Sequence, residues 1–248
     1  MTSINFISII VCLIVAVFGV LALAILYKVK TGVSIKTYLV GALCFTVFVT
    51  VLEGLVHSVC IAGDNSLSRI INGSVILYML YGAFMAGIFE EVGRWFGFRF
   101  LLRKHKDAST AIGYGIGHGG IEVWLLVVAN YVLILLVGLG VSLGDPTADA
   151  MMLTAGASIT PGVICLVLFE RVAAVILHIG LSCLVFTSVN RKGMKHYLPI
   201  AIFLHAIADM PAALFQKGML PMWFTEAWIF VLAVAVCFYG LRLLRKTA

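Results

Sequence analysis

Charge is what this sequence has least of. Asp, Glu, Lys and Arg make up 11% of its 248 residues, against about 25% in an average soluble domain. With 62% hydrophobic residues and a mean hydropathy of +1.14, the chain excludes a soluble core and describes a polytopic membrane protein. Its length allows one compact bundle, a single domain over 1–248, without a large extramembrane part. No Cys-x-x-Cys pair occurs among the six cysteines, which excludes a disulfide framework and a thiolate zinc site and leaves Cys12, Cys44, Cys60, Cys165, Cys183 and Cys237 as packing residues. No basic patch is interleaved with aromatics, so the net charge of +6 does not mark a nucleic-acid partner. No Lys or Arg precedes the first apolar run, so that run is expected to be a retained helix and not a secretory signal. Linkers, low-complexity segments and internal repeats are also lacking.

What is present is a series of apolar runs. A helix crossing the hydrocarbon needs about 20 such residues, and seven segments qualify: about 4–27, 37–62, 71–102, 108–140, 162–189, 197–216 and 222–244. The predicted fold is all-α, a transmembrane bundle of about seven helices. Glycines at 82, 87, 93 and 97, and at 113, 115, 117, 119 and 120, mark expected close-packing or bending points in the third and fourth. The stretch "LGDPTADA", 143–150, is predicted to be a surface loop.

The loops test this parse. Lys28, Lys30, Lys36, Arg99, Arg103, Lys104, Lys106, Arg191, Lys192, Lys195, Arg242, Arg245 and Lys246 are thirteen of the 17 basic residues, and all fall on one side. By the positive-inside rule the N-terminus lies out and the C-terminus in. An odd number of helices agrees with that orientation. The lipid bilayer is the first expected partner, and the membrane is expected to be the bacterial cytoplasmic membrane, a multi-pass cell-membrane location.

Some charge stays inside the apolar runs. Arg94 and Arg171, six acids (Glu53, Glu90, Glu91, Glu122, Glu170 and Asp209) and four histidines (His57, His118, His178 and His205) lie there. Each ionisable group at the bilayer centre costs about 2.5–3.5 kcal/mol on insertion scales, so these residues must pair or line a wet cavity. Spacing suggests pairs: Arg94 is three residues from Glu91 and four from Glu90, while His118–Glu122 and His205–Asp209 are each four apart. Arg171 and His178 share a face, with Glu170 beside it. Counted from the basic-loop ends, Glu90, His118, His178 and His205 fall roughly 14–20 Å deep at 1.5 Å per residue. Four helices thus deliver a Glu or a His to one layer, which Glu53 and His57 fit less well. Imidazoles with a carboxylate at one depth hold a divalent ion, zinc above all, or activate water without one.

The motifs "FEEVGR" (89–94), "GIGHGGIE" (115–122), "FERVAAVILH" (169–178) and "HAIAD" (205–209) together resemble those of the YhfC family of intramembrane metalloproteases. That family is related to the CAAX prenyl endopeptidase, bacteriocin-processing and PrsW-type proteases, and to a scaffold subunit of γ-secretase. The likeness runs from about residue 70 to 215. It implies that Glu90 or Glu91 is the water-activating base. It implies too that His118 and His205 are metal ligands or oxyanion stabilisers, with Glu90 a further metal ligand, that Arg94 orients the glutamates, and that Asp209 supports His205. Glu122, Glu170 and His178 look like the family's own additions. The wider pattern has three residues between its second Glu and its Arg; here there are two, which turns Arg94 by about 100° around the helix. The implied activity is an endopeptidase of the cytoplasmic membrane that cuts a peptide bond in, or at the cytosolic edge of, a membrane-bound peptide or protein substrate. The alternatives are a non-catalytic scaffold subunit and an ion- or proton-coupled transporter. The lack of a repeat counts against the transporter.

Overall fold

In hydrocarbon no water is present to satisfy the backbone, so each long apolar run must close its hydrogen bonds internally, as a helix. The computed structural model, which describes residues 2–247, is helical throughout its regular elements. We number them α1 (Ser3–Thr31), α2 (Ile35–Cys60), α3 (Ser66–Gly73), α4 (Val75–Leu101), α5 (Ala108–Gly138), α6 (Pro146–Ser158), α7 (Pro161–Asn190), α8 (Tyr197–Gln216) and α9 (Met222–Thr247). Seven of them, all but α3 and α6, are long and apolar enough to cross a membrane.

Their ends follow from local chemistry. Ser34, Ser74 and Thr160 each turn a hydroxyl oxygen onto the first free backbone N–H groups of the next helix, and Pro161 takes the first turn of α7, where no N–H is needed. Gly32 closes α1 in the left-handed conformation, with φ 68°. Two boundaries differ from the expected ones. The third run was expected from residue 71, but extended backbone at Ser74 (φ −124°, ψ 119°) separates α3 from α4. The 143–150 stretch was expected to be a surface loop, but Asp145 caps a helix that starts at Pro146. Proline at the first position and an acid before it start helices as readily as they mark turns.

The bundle is organised around α7. Of its most apolar window 78% is buried, against 17–33% for the other spans. It packs along α5 and α9, α4 pairs with α8, and α2 lies against α5. Outward faces stay apolar: Phe18, Ile25, Leu26, Val29, Val172 and Phe238 are all exposed, as lipid contact requires. Three stretches leave the α spacing for π geometry: Thr46–Glu53, Gly97–Leu101 and Trp124–Val128. Such stretches frequently accompany functional sites. Here one ends on Glu53, one begins three residues after Arg94, and one begins two after Glu122.

Candidate active site

Close helix contacts set the site. A Cβ on Gly115 would stand 2.6 Å from Ile179 Cα and 2.9 Å from the His178 carbonyl oxygen, so only glycine lets α5 approach α7 this closely. Gly87 does the same between α4 and α8, where a Cβ would lie 2.7 Å from the Ile202 carbonyl oxygen. The first contact brings His118 beside His178. The second brings the glutamates of α4 beside His205.

Glu90 is the hub. Its Oε2 lies 2.8 Å from His118 Nε2 and 3.7 Å from His178 Nδ1, and its Oε1 lies 3.7 Å from His205 Nε2. All four residues are buried. Glu91 points elsewhere: its Oε1 is 2.7 Å from His205 Nδ1. His205 Nε2 is also 3.4 Å from Asp209 Oδ2. The His118 ring is held between Phe45, edge-on at 5.0 Å, and Tyr114, stacked at 5.9 Å.

Arg94, fully buried, ties the layer together. Nη1 donates to the His178 carbonyl at 3.0 Å and to Ser182 Oγ at 2.9 Å. Nη2 lies 3.2 Å from His178 Nδ1, 3.4 Å from His118 Nε2 and 3.5 Å from Glu90 Oε2. Nε is 3.0 Å from Glu91 Oε2, a charge–charge contact without hydrogen-bond alignment. One guanidinium therefore meets both glutamates despite the shortened Glu–Arg spacing. Ser182 is a site residue that the motifs do not include. Its signal was its position four residues after His178, on the same face of α7.

A second ion-paired group backs the first. Glu122 accepts from His178 Nε2 and takes Arg171 Nη1 at 2.7 Å on its other oxygen; Arg171 also pairs with Glu170. His118 and Glu122, four apart on α5, do not bond to each other. Each reaches across to another helix instead.

Every residue expected in the site thus lies in one connected network. Its centre is narrower than that set. Glu90, His118 and His178 each offer a ligand atom within 4.8 Å of the others, and all three are buried. The resemblance implied His118, His205 and Glu90. His205 reaches the same carboxylate from the opposite oxygen, with its Nδ1 already engaged by Glu91.

A family model described as YhfC intramembrane metalloprotease matches residues 11–230 of this chain. The chain belongs to the YhfC family. Among YhfC relatives, a Bacillus subtilis (strain 168) protein described as an uncharacterized membrane protein YhfC is 32% identical over 216 residues, covering 81% of each chain. No solved structure matches. For a YhfC-family member, a buried group of two imidazoles and a carboxylate is the donor set of many catalytic zinc sites. The residues fit such an ion in kind. Glu122 holds His178 by Nε2, which leaves Nδ1 as the lone-pair nitrogen facing the group. His118 Nδ1 has no hydrogen-bond partner, and its Nε2 meets Glu90 Oε2 at 2.8 Å, so Nε2 must give up that contact to serve as a ligand.

Proposed function

We propose that this chain is an intramembrane endopeptidase of the cytoplasmic membrane, hydrolysing a peptide bond in a membrane-bound peptide or protein substrate. The observation that carries the reading is the convergence of Glu90, His118 and His178 within 4.8 Å in a buried layer, with His205 at 3.7 Å from the same glutamate. The family description supports it.

Glu90, His118 and His178 would hold zinc, which when bound supplies Lewis acidity and makes its water more acidic. The chain's own groups divide the remaining work. Glu90 Oε1, the oxygen not held by His118, takes the proton of the attacking water. His205 Nε2, between Glu90 and Asp209, accepts that proton from Glu90 and passes it to the leaving amine nitrogen, while Glu91 accepts from its Nδ1–H. Arg94 holds the two glutamates apart and anchors them to α7 through Ser182. Among the two adjacent glutamates, Glu90 is the base in this reading, because Glu91 Oε1 is bonded to His205 Nδ1 and its Oε2 lies against the Arg94 guanidinium.

The test is cleavage of membrane peptides by purified, reconstituted protein. Glu90→Gln and His205→Ala should each lower the rate by about 10²–10⁴. Undiminished cleavage by both variants would end the proposal.

One observation favours a second reading, a non-catalytic scaffold. Arg94 Nη2 lies 3.2–3.5 Å from the same three ligand atoms, so an internal cation already balances them. Metal content separates the two. Stoichiometric zinc that is lost in His118→Ala and His178→Ala supports the enzyme. Its absence, together with absent cleavage, supports the scaffold.

A further inference from the structure

A cavity of about 610 Å³ opens between α2, α4 and α8, and Glu53, His57, Tyr78, Tyr81, Asp209 and Gln216 are among its lining residues. It lies on the bundle half opposite the basic loops, since it is built from the last turns of α2 and α8 and the first turns of α4. Its volume is that of an ordinary ligand site. Asp209 belongs both to its wall and to the catalytic layer, 3.4 Å from His205 Nε2.

The chemistry of this wall is one-sided. It includes two carboxylates, Glu53 and Asp209, and no lysine or arginine. Glu53 is 4% exposed, and one oxygen contacts His57 Nε2 at 3.1 Å while the other, Oε2, has no hydrogen-bond partner. His57 is held on its other nitrogen by the Tyr81 hydroxyl at 2.8 Å. Lys217 is held away from this wall, over the Tyr78 ring at 4.0 Å and bonded to the Asn72 carbonyl at 3.2 Å. A buried carboxylate oxygen without a donor is costly unless something supplies one. The aromatic faces beside it also favour a cation.

We infer that this cavity is the substrate entry and that it takes an aliphatic ammonium group of the peptide, either a lysine side chain or a free amino terminus, on Glu53. Entry is then from the side opposite the basic loops. The role as a substrate entry rests on the endopeptidase reading, but ammonium binding can be measured alone.

The experiment uses full-length protein in lipid nanodiscs and fluorescent apolar peptides of about 20 residues. The peptides carry lysine or norleucine near one end, each with a free or an acetylated amino terminus. A charge-assisted contact predicts about tenfold tighter binding of the ammonium-bearing peptides. Preference for lysine with the terminus acetylated assigns the side chain; preference for the free terminus in the norleucine peptide assigns the terminus. Glu53→Gln should abolish the preference and leave the acetylated norleucine peptide unaffected. Gln216→Lys, at an exposed position whose Oε1 accepts from the Tyr78 hydroxyl at 2.7 Å, should weaken the ammonium peptides selectively. Equal binding of all four peptides, or a preference that survives both substitutions, overturns the inference. Failure of cleavage with the preference intact would count against the endopeptidase reading alone.

Discussion

Glu122 of α5 accepts from His178 Nε2 of α7, so the imidazole presents its other nitrogen, Nδ1, to Glu90 and Arg94. Fifty-six residues separate the two in the chain. This contact selects a tautomer, and a metal-ligating histidine depends on that selection.

Glu122→Gln should therefore lower zinc affinity by about 10–100-fold without removing a ligand. Competition against a zinc chelator at fixed pH measures it. An unchanged affinity would show that the contact is a helix tie only.

Arg94 is wholly buried and faces two glutamates, a serine and two histidines. Arg94→Ala leaves those carboxylates without a counter-charge, at a cost of about 3–5 kcal/mol. Arg94→Lys should rescue little, because an ammonium cannot serve Ser182, the His178 carbonyl and Glu91 from one fixed fork. Denaturant unfolding in mixed micelles reads both variants against wild type.

Gly87→Ala places a methyl 2.7 Å from the Ile202 carbonyl oxygen, whereas Gly19, on α1, has nothing within 4 Å of the same added atom. The first substitution should destabilise by about 1–3 kcal/mol through overpacking and should also reduce cleavage by shifting His205. Gly19→Ala should be neutral or stabilising by about 0.5–1 kcal/mol. Equal melting temperatures for the two variants would contradict the close α4–α8 approach.

Asp149 lies outside the membrane spans. The Ser142 hydroxyl and the Leu143 N–H both donate to its carboxylate and hold its pKa below the ordinary aspartate value. A depressed folded-state pKa gives a contribution present above the unfolded value of about 3.9 and lost as pH falls through the lower folded value. A carboxyl-carbon NMR titration should place the Asp149 midpoint below that of a free aspartate, and Ser142→Ala should move it upward. A midpoint at the ordinary value would remove the loop tie.

The seven spans could be read from the sequence because the signal is local: a run long enough to cross hydrocarbon must be helical wherever it lies in the bundle. The same holds for Arg94 with Glu90 and Glu91 and for His205 with Asp209, since residues three or four apart on a helix are neighbours by construction. The break at Ser74 had a signal, Asn72-Gly73 just before it, which the apolar residues Ile70, Ile71, Val75 and Ile76 on either side outweighed.

The chain alone determined that Glu90, His118, His178 and His205 occupy one depth, since rise per residue converts position into depth. It did not determine how each helix is rotated about its own axis. The tertiary structure decided that His178 joins Glu90 and His118 at the centre, that Glu122 turns from its helical neighbour His118 to a histidine on α7, and that a carboxylate-lined cavity meets the layer from the side opposite the basic loops. Rotation and approach are set by where backbones touch, at Gly87 against α8 and Gly115 against α7. Those contacts depend on two helices at once, and no single run of sequence contains them.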